Sequence, residues 1–207
     1  KQVQHVLRWI KALLAEDFAR LTRSFAISIH KGLGRCVEFH LDASPWGMGG
    51  FLTMDYVIIS WFAVPVTEHD CVSLGIKIGS STSQQAVEAL AILIALRIWR
   101  KYWGANGALL RIKSDSATAL TLALKLKASG GATSIIAREI ALQAATANYF
   151  PVIAEHVPGV ANIIPDILSR RYQPLKEKWV IPQELRAEDE QLVEPLEYFT
   201  LSAPASR

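Results

Sequence analysis

The amino-acid sequence predicts an α/β domain, a five-stranded mixed sheet flanked by helices in the order βββαβαβα. Three observations carry this expectation. Three short strand-like runs follow one another between Val37 and Ala63, separated by turn residues. Beyond them, apolar runs at helical spacing alternate with two further strand-like runs. Finally, 51% of the 207 residues are hydrophobic, enough to bury one full core with room for appendages. A meander followed by strand–helix alternation calls for a sheet with antiparallel and parallel neighbours, covered by helices.

The elements follow in order. Val3, Val6, Leu7, Ile10, Leu13, Leu14, Phe18 and Leu21 keep helical spacing, and Arg8, Lys11, Glu16, Asp17 and Arg20 fill the other side. This amphipathic helix must dock on something, either the domain itself or an upstream neighbour. Ser24 to Gly34 reads as a loop or short strand. Strand one is Val37 to Asp42; Gly47, Gly49 and Gly50 turn the chain into strand two, about 50–53, and strand three is Ile58 to Ala63. Thr67 to Ser83 reads as a loop, with Thr82 or Ser83 available to cap the next helix. That helix runs to about Tyr102 and stops near Gly104 to Gly107. Strand four is Leu109 to Ser114, followed by a helix from Ala117 to Lys127 and a break at Gly130 and Gly131. A third core helix spans Thr133 to Tyr149, strand five Pro151 to Glu155, and a last helix Ile163 to Tyr172.

Three segments result: residues 1–35 as N-terminal helix and linker, 36–173 as the folded domain, and 174–207 as an extended, partly ordered tail. Pro174, Pro182, Pro195 and Pro204 and the acidic run Glu188 to Glu190 set the tail apart, and Trp179, Val180 and Ile181 are its candidates for pinning to the body. The start at Lys1, without Met and directly in a helix, reads as a piece excised from a longer polypeptide.

Composition sets outer bounds. A net charge of +3 permits a polyanionic partner without demanding one. Cys36 and Cys71 give no disulfide framework and no CxxC metal motif, and fit reduced residues of an intracellular protein. No secretory signal is visible, and no apolar run reaches the roughly 18 residues a membrane span needs.

Four acids sit at chemically informative places. Asp42 closes strand one where glycines begin, so a phosphate backbone could approach; an Asp opening a turn is the plainer alternative. Glu88 is the only charge in the apolar run from Ala86 to Leu96, and an ionised carboxylate there is costly unless a metal or a cation such as Arg97 or Arg100 compensates it. Asp115 closes strand four, where it or Ser116 could equally cap the following helix. Asp166 follows Pro165 in a first helical turn, where the dipole favours an acid in any case. Hard cations such as Mg2+ want oxygen ligands, and two of them can activate a water and hold the leaving oxygen of a phosphodiester. His156 adds a group that titrates near neutrality.

The ordered set Asp42, Glu88, Asp115 and Asp166, with His156 six residues before Asn162 and Asp166 four after it, resembles ribonuclease H. The closing phrase from His156 to Gly159, then Asn162, Asp166, Leu168, Ser169 and Arg170, is similar to ribonuclease H domains of retrotransposon reverse transcriptases. The resemblance spans about Cys36 to Tyr172, some two thirds of the chain. It implies a ribonuclease H-like fold and hydrolysis of the RNA strand of RNA–DNA hybrids with two Mg2+ ions, for which Mn2+ can substitute. The four carboxylates would hold the metal, and His156 would assist water activation or product release. Gln84 and Gln85, just ahead of Glu88, would contact ribose and base edges, since an amide can both donate to and accept from a 2'-hydroxyl. Ser44, Ser116 and Asn162 complete the implied substrate contacts.

The implied partners are the hybrid and an upstream reverse transcriptase domain of the same polyprotein, with no membrane; the implied location is the cytoplasm, in a retroelement particle, or the nucleus. Two alternatives share the fold: a catalytically silent binding or scaffold module, and a DNA strand transferase. The presence of all four acids argues against the first, and the His156–Asn162–Asp166 ending points away from the second. One departure stands out. Cellular members carry a basic, Trp-bearing protrusion where this chain has only Ala128 to Ala132, so few phosphates would be neutralised and autonomous binding should be weak.

Overall fold

Alternation of apolar with small or polar residues builds an antiparallel meander of β1 (Arg35–Ser44), β2 (Gly47–Met54) and β3 (Val57–Pro65). The computed structural model describes residues 2–14, 27, 31, 33–104, 108–128, 130–146, 152–174 and 178–196. β4 (Ala108–Ser114) pairs parallel with β1, and β5 (Val152–His156) parallel with β4. The sheet order is β5-β4-β1-β2-β3-β6, six strands rather than the expected five. The additional strand is β6 (Asp189–Glu190), which pairs parallel with β3. Two acidic residues carry no strand signal of their own, so only the tertiary pairing creates this element.

The two-residue period of β1 sends Val37, Phe39 and Leu41 to one face and Glu38, His40 and Asp42 to the other. The first face is covered by α3 (Gln84–Ile98), α5 (Ala117–Lys125) and α6 (Gly131–Thr146). Every residue of α3 from Ala86 to Leu96 is buried except Glu88, which is half-buried. Trp99, wholly buried, follows α3 and packs on Phe39 and Phe62 at ring distances of 5.0 and 5.4 Å. Arg97 pairs across to the buried Glu139 of α6, so neither is left as an isolated buried charge.

The second face carries α7 (Ile163–Ser169) and the chain that follows it. Leu168, Phe51, Trp61, Ala63 and Leu185 form a smaller core, with Trp179 and Ile181 packed against it. Backbone-directed bonds fasten this layer. Trp179 Nε1 donates to Ile167 O at 3.0 Å, Trp61 Nε1 to Glu188 O at 3.1 Å, and the Gln191 amide to Trp61 O at 2.7 Å. Helix and sheet approach closely because Gly47 and Gly49 of β2 present no side chain there. A Cβ on Gly49 would stand 2.3 Å from Leu168 Cβ and 2.6 Å from Ser169 N.

Several expected boundaries shift for local reasons. Within the expected loop 67–83 lies α2 (Glu68–Leu74), started by a capping box of Thr67 and Asp70 and stopped by Gly75 at φ 69°. Ser83 takes the N-cap position of α3 but makes no side-chain capping bond. Residues Ser81–Ser83 form a 3-10 turn, and Ser83 Oγ accepts the Lys77 amide at 3.0 Å instead. α3 breaks at Trp99, and a separate short α4 (Arg100–Trp103) continues it. α5 ends at Lys125 because Leu126 turns left-handed at φ 52°, and α7 ends at Ser169, short of Tyr172. α1 (Gln2–Leu14) touches α6, where Trp9 Nε1 donates to Arg138 O at 3.1 Å. The expected continuation of α1 to Leu21, most of the 24–34 linker, residues 105–107, the end of α6 at Tyr149, Pro151 and residues 197–207 lie outside the described residues.

Gly49→Ala should therefore cost about 3 kcal/mol or more, since overpacking against backbone cannot be relieved by a rotamer change. Chemical denaturation measures it. A loss under about 0.5 kcal/mol, the ordinary surface value, would mean that α7 does not seat on β2 as described.

Candidate functional site

β1 and β4 run parallel and adjacent, with His40 in register with Lys113, so two residues further on Asp42 and Asp115 reach the same sheet edge. The carboxyl end of parallel strands is where open α/β sheets place ligands. Asp42 is 9% exposed, opposite Gly49, and accepts the Ser169 hydroxyl on Oδ2 at 2.7 Å. Its carboxyl is pushed up to about 7. Burial is the largest cause; the Ser169 bond works against it, and the charges of Asp115 and Asp166 add to the rise. Three acids thus share one field.

Glu38 gives the control for this effect, four residues earlier on the same strand face. It too is buried, and burial again raises its carboxyl, yet Lys113 at 3.2 Å and His40 at 3.6 Å outweigh burial and hold it below the usual range. The same residue class on the same strand is raised among acids and lowered among cations. Glu38 is a charge satisfied by its cations; Asp42 keeps its proton to higher pH.

The remaining predicted residues fall as follows. Asp115 follows β4, is exposed, and lies beside Gly159, whose added Cβ would stand 3.3 Å from Asp115 Oδ2. Asp166 lies in the first turn of α7 and pairs with Arg170 Nε at 2.5 Å. Glu88 accepts from the Ser116 hydroxyl and, at 3.2 Å, from Gln84 Nε2. Gln84 Nε2 also donates to Ala43 O at 2.7 Å, tying Glu88 to the residue after Asp42. His156, exposed at the end of β5, places Nε2 3.0 Å from the Asp115 carbonyl.

Three residues expected at the substrate have other work. Ser44 is buried; its hydroxyl donates to Ser169 O at 2.8 Å and accepts the Gly47 amide at 3.2 Å. Asn162 is buried and donates to Leu41 O at 3.0 Å, which pins the start of α7 to β1. Ser116 caps α5, accepting from Ala119 N at 3.2 Å while its proton goes to Glu88. A sequence does not reveal whether a short polar side chain faces a ligand or a carbonyl brought near by folding. Gln85 alone of the expected substrate group is exposed, at a cavity of about 320 Å³ that Thr118, Thr121 and Lys127 also line. Ser169 and Arg170, which hold Asp42 and Asp166, were legible only as part of the closing phrase.

No three His, Cys, Asp or Glu side chains among the described residues stand together as a finished metal cage. The donor chemistry nonetheless suits a hard divalent cation. The group is all carboxylate, and burial, with the charges of Asp115 and Asp166 adding to it, raises Asp42. Gln84 Oε1 beside Glu88 is a buried acceptor without a partner, which a hydrated cation would satisfy. No family model, no curated protein and no solved structure matches this chain.

The Asp42 shift makes a signed prediction. Its folded value of about 7 lies above the ordinary 3.8, so the folded chain keeps a proton that the unfolded chain releases. Stability from this group is complete at low pH and falls as pH rises through that window. In EDTA, Asp42→Asn should melt several degrees above the wild type at pH 8, with the gain vanishing near pH 4. Adding Mg2+ should raise the wild-type melting temperature and barely move the variant. Parallel pH profiles for the two proteins in EDTA would contradict the shift.

Proposed function

We propose that this chain is a ribonuclease H domain of a retroelement polyprotein, with a ribonuclease H-like fold, that hydrolyses the RNA strand of RNA–DNA hybrids. The observation that carries the reading is the field shared by Asp42, Asp115 and Asp166, to which Ser116 and Gln84 tie Glu88. These four residues would hold two Mg2+ ions, with Mn2+ able to substitute. When bound, such ions supply Lewis-acid stabilisation of the phosphodiester and lower the pKa of the attacking water.

The chain's own residues do the rest. Ser169 orients the Asp42 carboxylate, and Ser116 and Gln84 fix both oxygens of Glu88, so the acids are presented at low reorganisation cost. Arg170 holds Asp166 at the mouth of the site. His156, anchored to the Asp115 carbonyl yet exposed, can carry a proton between the site and solvent. Products would bear 5'-phosphate and 3'-hydroxyl ends. Gln85, exposed beside Thr118 and Lys127, would meet the hybrid. The exposed Val3, Leu7 and Leu14 of α1 suit docking of an upstream reverse transcriptase domain. No helix among the described residues is long and apolar enough to cross a membrane.

Asp115→Asn should abolish hybrid cleavage without unfolding the domain, because it removes an exposed charge and no core contact. Near wild-type cleavage by that variant with Mg2+ would sink the metal assignment. His156→Ala should slow turnover by roughly ten- to a hundredfold, at or below the usual range for an acid–base group. Hybrid affinity measured in EDTA should stay put. Loss of binding together with structure would make His156 a packing residue.

A further inference from the structure

We propose that the chain following α7 completes a phosphate-binding cavity beside Asp166, which takes a backbone phosphodiester of the nucleic acid next to the cleaved one; this rests on the ribonuclease H reading. The cavity is about 360 Å³, and Asp166, Arg170, Arg171, Gln173, Lys178 and Trp179 line it. Three cations line it together with one candidate metal ligand, which Arg170 contacts directly.

The wall is built, not incidental. Trp179 spends its indole N–H on Ile167 O at 3.0 Å, Arg171 lies 4.8 Å over its ring, and Arg171 pairs with Glu190 of β6. Packing of the segment on the second core therefore fixes where Lys178 begins. Lys178 is exposed and makes no ion pair among those the structure gives for the described residues. The pairs of Arg170 with Asp166 and of Arg171 with Glu190 have side chains 29–43% exposed, a setting in which ion pairs are weak and both guanidiniums can be drawn to a stronger anion. A phosphate accepts such planar donors in pairs and a lysine as a point charge. Only five residues, 126–130, separate α5 from α6, so that side offers little basic surface. The Arg170–Arg171–Lys178 group supplies a grip of that kind beside Asp166.

Lys178 is the residue to test, because Arg170 holds Asp166 and Arg171 holds the segment, so their loss would mix effects. Affinity for a fluorescent RNA–DNA hybrid is measured in EDTA across a salt series for wild type, Lys178→Ala and Lys101→Ala, the last a surface cation on α4. Lys178→Ala should weaken binding several-fold at moderate salt and lower the log–log salt slope by about one, with Lys101→Ala unchanged. The same drop should appear on duplex DNA of that sequence, since a phosphate contact does not read the sugar. An unchanged slope for Lys178→Ala, or an equal fall for Lys101→Ala, overturns the cavity while leaving the ribonuclease reading intact. A wild type that cleaves no hybrid with Mg2+ or Mn2+ and binds none overturns both.

Discussion

The carboxylate of Asp42 is buried within the field of two other acids, with the Ser169 hydroxyl at 2.7 Å as its side-chain donor. That contact governs the arrangement around it. For Ser169 to reach Asp42, α7 must lie directly on β2, and it can do so only because Gly47 and Gly49 leave no Cβ in the way. Asn162 and Ser44 then lock the two ends of α7 onto β1, the first through Leu41 O and the second through Ser169 O. The same helix brings Asp166 to the edge where β1 and β4 deliver Asp42 and Asp115. Bare glycines, a seated helix and a strained acid form one chain of cause.

The energy balance differs between the two faces of the sheet. Opposite α3, α5 and α6, apolar burial is continuous and Glu88 is the exception within α3, its oxygens taken by Ser116 and Gln84. On the second face the small core around Leu168 and Trp61 needs the later chain to close it, and Leu185, Trp179 and Ile181 do so. Stability of that layer is thus coupled to the site, since whatever loosens α7 moves Ser169 and Asp166 together. The contrast of Glu38 with Asp42 shows that two buried carboxylates of one strand can shift in opposite directions. Burial is the main cause at Asp42 and the charges of Asp115 and Asp166 add to it, whereas at Glu38 Lys113 and His40 outweigh burial.

Much of this was legible in the sequence for stated physical reasons. Alternation placed β1 to β5, and the single charge in an apolar helix singled out Glu88. The capping box of Thr67 and Asp70 was readable but passed over, because the segment is short and flanked by loop-like residues. β6 was not readable, since Asp189 and Glu190 become a strand only by pairing with Ser60 and Trp61. Ser44 and Asn162 looked like ligand contacts because their true partners lie more than a hundred residues away in the chain. Ser169 was missed as a site residue for the same reason: its bond to Asp42 spans 127 positions.

The central claim is that the acids at the edge of β1 and β4 serve hydrolysis of one strand of one kind of duplex. End-labelled RNA–DNA hybrid, duplex RNA and duplex DNA of one sequence, each incubated with the protein in Mg2+, Mn2+ or EDTA, test it most directly. The account predicts internal cleavage of the RNA strand of the hybrid alone, with 5'-phosphate and 3'-hydroxyl ends, and none in EDTA. Intact hybrid with either metal, equal cleavage of duplex DNA, or cleavage that persists in EDTA would contradict it.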